Sequence, residues 1–311
     1  MRVYTHPACF GHEPGAGHPE SPARLHAVLQ ALDDPRFSGL ERIEAPRASH
    51  GQLGSTHRPD YVDRIFASAP DTGATRLDPD TVMSPGSLEA ALHAAGAACA
   101  ATDAVLAGAT TRAFCAVRPP GHHATREAAM GFCLFNNVAL AATHALSAYR
   151  LDRVAIVDFD VHHGNGTQDI FRHDPRVLYA SSHQMPLYPG TGAVSEHGCG
   201  NVFNAPLPPG TQSAEFRATW EKQLLPELDL FRPQLLLVSA GFDADARDPL
   251  AQLQLVPADY AWITQRLVEL ADRHADGRIV SSLEGGYDLD ALREGVAAHV
   301  AALLGLHVGR E

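Results

Sequence analysis

The stretch VAIVDFDVHHGNG, Val154 to Gly166, decides the fold. Val154 to Val157 is a short apolar, β-branched-rich run, which reads as a strand buried in a parallel sheet. Its character changes at once afterwards, to Asp158, Asp160, His162, His163 and Asn165 among glycines. In open parallel sheets ligands bind beyond the carboxyl ends of the strands, so polar residues delivered there are candidates for chemistry. Four further runs repeat the arrangement. Ala113 to Val117 leads into Arg118-Pro-Pro-Gly-His122-His123, and Val177 to Ala180 into Ser181-Ser182-His183. Leu235 to Ser239 leads into Ala240-Gly-Phe-Asp243, and Arg278 to Leu283 into Glu284-Gly-Gly-Tyr287. Acids, histidines and a tyrosine thus converge on one rim.

Helical patterns alternate with these runs, over Ser87 to Leu106, Asn137 to Ser147, Ser213 to Phe231, Pro257 to Ala271 and Leu289 to Leu304. Ser84 and Pro85 read as the cap and first-turn signal of the first. The alternation predicts an α/β fold, a central parallel sheet flanked by helices. No repeat or long Pro/Gly/Ser linker divides the chain, so residues 1–311 read as one domain. The first 80 residues, irregular and rich in Pro, Gly and His, are expected to form loops and short helices around the site.

Charge and cysteine usage narrow the function classes. Lys plus Arg is 24 and Asp plus Glu is 36, a formal net charge of 24 − 36 = −12. Such a chain is a poor candidate for gripping nucleic acid by its phosphates. It would attract cationic substrates modestly, and the charge also serves solubility. Five cysteines without a C-x-x-C argue against a disulfide framework and for a reducing compartment. The N-terminus lacks a signal-peptide apolar stretch and no run of 18 apolar residues exists, so no membrane partner and a cytoplasmic location are expected. The oligomeric state stays open, an oligomer included. The anomalous total is 18 histidines, a first sign of metal or acid–base chemistry.

Asp160 and His162 are two apart at the end of an extended segment and point to the same side. Asp243, from another strand end, can complete three N/O ligands with an open fourth position, the pattern of a catalytic zinc. Oxygen ligands also suit Mn²⁺ or Fe²⁺. Asp243-Ala-Asp245 with Asp248-Pro249 is similar to arginase-like dimanganese ureohydrolases, but the further Asp those enzymes need is here Gly164, which favours a mononuclear site. His122 and His123 can hold distinct acid–base posts, with Asp158 orienting one and Asn165 the other. Tyr287 can donate a hydrogen bond to a carbonyl gaining negative charge.

RPPGHHA (Arg118 to Ala124), GFCLFNN (Gly131 to Asn137), VDFDVHHGNGTQ (Val157 to Gln168), SAGFDA (Ser239 to Ala244), LEGGYD (Leu283 to Asp288) and HPESPAR (His18 to Arg24) resemble the signatures of the histone deacetylase family. The match is closest to its class II and bacterial deacetylase-like members and covers roughly residues 1 to 305. The resemblance implies the arginase/deacetylase fold and one Zn²⁺ per chain, on Asp160, His162 and Asp243. It implies His123 as general base and acid, His122 bonded to Asp158 as its electrostatic partner, and Tyr287 polarising the acyl carbonyl. Phe132 and Tyr188 would wall a narrow apolar channel, with the Gly131 carbonyl along it. Asp80 matches a rim position that grips peptide backbone, and Arg24 a residue lining a product channel. A structural K⁺ is implied near Asp158, Asp160, His162 and Ser181. Two departures matter. Asn165 stands where class I members have Asp. Leu250, seven after Asp243, stands where polyamine deacetylases tend to have an acid. The expected activity is zinc-dependent removal of acyl groups from acyl-lysine side chains of peptides or proteins. The rivals are an acetylpolyamine amidohydrolase acting on a small acylated amine, a dimanganese ureohydrolase, and a non-catalytic acyl-lysine binding module.

Overall fold

A computed structural model describes residues 1–306; the last five residues of the span expected as one domain lie outside the described residues. The chain runs through β1 (Arg2–Thr5), α1 (Pro22–Ala31), β2 (Glu41–Glu44), α2 (His50–Thr56), α3 (Pro59–Ser68), β3 (Thr75–Arg76), β4 (Val82–Met83), α4 (Ser87–Leu106), β5 (Arg112–Cys115) and α5 (Asn137–Ala148). It continues through β6 (Val154–Asp158), α6 (Asn165–Phe171), β7 (Val177–Gln184), β8 (Val202–Leu207), α7 (Ser213–Thr219), α8 (Leu225–Phe231), β9 (Leu235–Ala240), α9 (Pro257–His274), β10 (Ile279–Leu283) and α10 (Leu289–Leu303).

Eight strands form one sheet in the order β2-β1-β5-β10-β9-β6-β7-β8, and each neighbouring pair is parallel. The five strands expected from apolar runs are its middle: β6, β9 and β10 are buried at every position, as strands covered by helices on both faces must be. Consecutive β5 and β6 lie apart, with β10 and β9 between them. The loops leaving β5, β6, β9 and β10 all emerge at the carboxyl edge of the sheet, the usual ligand position in such sheets.

The first 80 residues hold more regular structure than their sequence suggests. β1 and β2 extend the sheet at one edge, in register Arg2↔Glu41 to Thr5↔Glu44. β2 reads ERIE and is largely exposed; a short charged edge strand carries no apolar run to reveal it. β8 at the other edge was equally silent, since VFNAPL contains Asn204 and Pro206. The Ser84-Pro85 signal is also corrected: α4 starts at Ser87 with Gly86 at its N-cap and no side-chain cap. Ser84 instead turns to the N-terminal loop, accepting from Glu13 N at 3.0 Å.

α4 is rich in alanine because it packs close. A Cβ on Gly96 would fall inside the carbonyl of Pro46, so only glycine lets that loop cross the helix. The helix expected over Ser213 to Phe231 is interrupted by a π turn at Trp220–Leu224. Pro226 follows it and lacks an N–H, so an α-helical bond is missing there and the wider turn absorbs the gap. Among the described residues no helix is long and apolar enough to cross a membrane, and all five cysteines are free thiols.

Candidate active site

The loop after β6 carries Asp160 and His162, and the loop after β9 carries Asp243. One ligand atom from each lies within 4.8 Å of the others, all three residues buried. His162 Nδ1 stands 3.1 Å from Asp160 Oδ1 and 3.2 Å from Asp243 Oδ2. In a tetrahedral site with metal–ligand bonds of about 2.0 Å, neighbouring ligand atoms are about 3.3 Å apart. The triad is therefore spaced as three corners of such a site. Backbone N–H groups fix each carboxylate. Val161 N donates to Asp243 Oδ1 at 2.9 Å, His162 N to Asp160 Oδ1 at 2.8 Å and Gly285 N to Asp160 Oδ2 at 2.8 Å.

The electrostatics ask for a cation at the same point. Burial opposes the charge on Asp160, but positive His122 and His162 outweigh it and hold the carboxyl well below its usual range. Burial and the Asp160 charge push Asp243 up. Burial also opposes a proton on His162, yet the two carboxylates outweigh it and raise that imidazole to about 10. Two buried carboxylates aimed at one imidazole nitrogen favour positive charge between them, which a proton on His162 supplies and a divalent metal would supply in its place.

His122 and His123, in the loop after β5, lie beside the triad with ring centroids 4.0 Å apart and the rings tilted 44° to each other. Their partners separate their roles. His122 Nδ1 donates to Asp158 Oδ2 at 3.0 Å, which also accepts from Tyr179 Oη at 3.0 Å. Burial works against charge on His122, but Asp158 and Asp160 overcome it and hold the ring up to about 10. His123 Nδ1 donates to neutral Asn165 Oδ1 at 2.8 Å. Burial, then the charges of His122 and His162, push its pKa well below 6.5, so it stays neutral with a free lone pair on Nε2. One imidazolium and one imidazole side by side can serve as a charge stabiliser and a base.

A cavity of about 230 Å³ opens above them, lined by Asp80, His123, Gly131, Phe132, His162, Leu187, Tyr188, Leu250 and Tyr287. The expected wall residues are thus brought together. Tyr188 stands edge-on to His123 with centroids 5.2 Å apart and Phe132 edge-on to Tyr287 at 5.9 Å. Phe132 has φ +68°, a left-handed conformation that an aromatic residue seldom adopts and that turns its ring to the cavity. Asp80 lies at the rim, where burial and neighbouring Asp78 push its carboxyl up. Arg24 lies behind Tyr287, fully buried, its guanidinium 4.9 Å from the ring centroid. It donates to Gly286 O at 2.6 Å, Glu284 O at 2.5 Å and Glu20 Oε1 at 3.1 Å, which occupies three of its five N–H groups.

Sequence reasoning missed several supports. Glu284 Oε2 accepts from Gly121 N at 2.6 Å and His122 N at 3.1 Å, tying the histidine loop to β10; burial pushes its carboxyl up to about 7. Glu20 joins Arg24 to Arg118, whose Nε lies 2.5 Å from Glu20 Oε1. Both acids stand inside the quoted motifs, but neither motif names their partners. Tyr179 and Leu187 gave no signal, being ordinary strand and loop residues.

Comparison with known proteins agrees with this fold. The family model for the histone deacetylase domain matches residues 18–303. A histone deacetylase-like amidohydrolase of Pseudomonas aeruginosa is 42% identical over 278 residues, 88% of this chain and 73% of that protein. A polyamine deacetylase of Mus musculus, HDAC10, is 42% identical over 311 residues, 92% of this chain and 45% of that protein. The crystal structure of the HDA15 HD domain superposes with a TM-score of 0.93 at 34% identity, covering 100% of this chain and 89% of that one.

Proposed function

Because the chain belongs to the histone deacetylase family, a family of hydrolytic deacetylases, we propose that it removes acyl groups from acyl-lysine side chains with one zinc ion per chain. The observation that carries the proposal is the Asp160–His162–Asp243 triad facing the unequal histidine pair at the floor of an apolar-walled cavity. Zinc on Asp160, His162 Nδ1 and Asp243, when bound, supplies Lewis acidity to the acyl carbonyl and acidity to the attacking water. The protein residues do the rest. His123 takes the water proton on Nε2 and later returns it to the amine nitrogen, while Asn165 holds the ring by Nδ1. Charged His122, anchored by Asp158, stabilises the negative charge that grows on the acyl oxygen. Tyr287 donates its phenolic hydrogen to the same oxygen.

Phe132, Tyr188, Leu187 and Leu250 offer an alkyl chain dry contact, Gly131 lines the same passage, and Asp80 at the rim accepts backbone N–H groups of a bound peptide. Arg24, with two N–H groups beyond its three bonds, would meet the carboxylate product at the inner end. A potassium ion beside Asp158, Asp160, His162 and Ser181 belongs to the proposal. His183 Nε2 bonds the Gly192 carbonyl and so donates; its Nδ1 then accepts the Ser181 hydroxyl proton, which leaves the Ser181 oxygen lone pairs for a cation. The free thiols favour the cytoplasm or another reducing compartment. The chain is proposed to act as a single domain.

The polyamine deacetylase relative keeps a second reading open, acetylpolyamine hydrolysis by the same residues. Leu250 opposes it, since an apolar side chain at that point of the wall gives a second ammonium no partner there. The test is kcat/KM on an acetyl-lysine peptide and on N-acetylputrescine, in the zinc-loaded protein and in Leu250→Glu. The peptide is favoured in the parent, and the variant moves the ratio toward the polyamine by about tenfold, the equivalent of about 1.4 kcal/mol. A parent that favours the polyamine defeats the acyl-lysine assignment.

A further inference from the structure

We infer that Asp248 is a positioning residue of this site: its two carboxylate oxygens clamp the backbone N–H groups of Tyr287 and Leu250, so that one side chain places both the phenol and the cavity wall. Asp248 Oδ2 accepts from Tyr287 N at 2.8 Å, and Oδ1 from Leu250 N at 2.9 Å. The inference rests on the deacylation reading for what Tyr287 does, but the clamp stands on geometry.

The clamp joins the segment after β10 to the loop after β9. Tyr287 follows Gly285 and Gly286, the latter at φ +121°, and regular structure resumes only at α10, capped by Asp288. Gly285 and Gly286 place no side chain immediately before Tyr287, whose ring meets the edge of Phe132 and the Arg24 guanidinium. Those contacts are weakly directional. On the other side Asp248 is nearly buried, 7% exposed, in a loop that starts at the ligand Asp243. That loop is laced by Asp248 N to Asp245 O at 2.9 Å, Ala246 N to Leu255 O at 3.0 Å and Leu255 N to Ala244 O at 3.1 Å. Asp248 therefore refers the phenol to the segment that holds the metal ligand. The tolerance is small, since a shift of about 1 Å at a reacting group can cost about a hundredfold in rate.

Asp248→Asn tests this with little change of volume. An amide offers one accepting oxygen and turns N–H groups toward the other backbone N–H, so one clamp bond is lost and two donors face each other. The expected result on an acetyl-lysine peptide is a fall in kcat of about tenfold or more, with KM and zinc content held within about twofold. In a Tyr287→Phe background the same substitution changes kcat by less than about twofold, because the group it positions is gone. Hydrogen exchange at the Tyr287 amide, the Leu250 amide or both speeds up by about tenfold or more in Asp248→Asn. Equal losses of kcat in both backgrounds, or unchanged exchange at both amides, overturn the inference. Should Asp248→Asn not fold, Asp248→Glu, which displaces both acceptors by one methylene, runs the same cycle with the same expectation. A parent protein that hydrolyses no acyl-amine defeats the deacylation reading, while amide exchange still decides whether Asp248 holds Tyr287.

Discussion

Gly285→Ala adds a single methyl and should empty the metal site. Gly285 takes no left-handed backbone angle, so alanine costs nothing in conformation and the effect is steric. The new Cβ would sit 2.7 Å from Asp160 Oδ2 and nearer still to Asp243 Oδ2. Ordinary contact needs about 3.5 Å, so the Asp160 oxygen must retreat by about 0.8 Å and the Asp243 oxygen by more than about 1 Å. Two of the three ligands then leave positions that a bond of about 2.0 Å defines to within about 0.2 Å. Disturbing even the residues that orient metal ligands weakens affinity about 10–100-fold, and displacing the ligands themselves should exceed that. The assay is zinc affinity by competition with a chromogenic chelator, with thermal unfolding of the metal-free protein as the control for folding. Gly54→Ala serves as the matched substitution, because a Cβ there meets nothing within 4 Å. Zinc affinity in Gly285→Ala within threefold of the parent would refute the placement of this triad as the metal site.

Three further outcomes are expected. Tyr287→Phe should lower kcat about 10²–10³-fold on an acetyl-lysine peptide with zinc content intact, and unchanged turnover removes the phenol from the chemistry. Asn165→Asp puts a carboxylate on His123 Nδ1, which favours the imidazolium, so the acid limb of kcat/KM should move to higher pH by about one unit or more; a fixed or lowered limb contradicts His123 as the base. His299 is buried between Thr264 Oγ1 at 2.6 Å and Ser281 Oγ at 2.8 Å, and burial holds it down to about 3. The unfolded chain protonates this group below pH about 6.5 and the folded chain does not, so its stabilisation is complete above that pH and is lost as pH falls toward 3, at about 1.4 kcal/mol per pH unit. His299→Gln, which can keep both bonds, should flatten the acid slope of denaturant unfolding by about that amount, and an unaltered slope rejects the assignment.

The parts visible in the sequence share a physical reason. Strands buried on both faces must be continuously apolar, so β6, β9 and β10 declared themselves, and the change to Asp, His, Gly and Tyr at their ends marked the site. Asp160, His162 and Asp243 could be grouped because parallel strands bring their ends to one rim. The metal geometry itself was not visible. It depends on Gly241 and Gly285 pressing against the Asp160 and Asp243 carboxylates; glycine at 241 reads as room for a close approach, but the approach of Gly285 from another strand end does not. The edges failed for the opposite reason to the centre, since ERIE and VFNAPL are built to face solvent or carry a proline. The buried supports Glu20, Glu284 and Asp248 were unreadable as supports because most of their partners, such as Arg118 and the Gly121 and Tyr287 backbone groups, are distant in the chain. A carboxylate's role there exists only once the loops have met.

The most direct test of the central claim is a zinc titration of metal-free protein read by acetate release from an acetyl-lysine peptide. Activity is predicted to be absent without metal, to rise linearly with added zinc and to level off at one equivalent per chain. Full activity in the metal-free protein, or a break at two equivalents, would contradict a single zinc held by Asp160, His162 and Asp243.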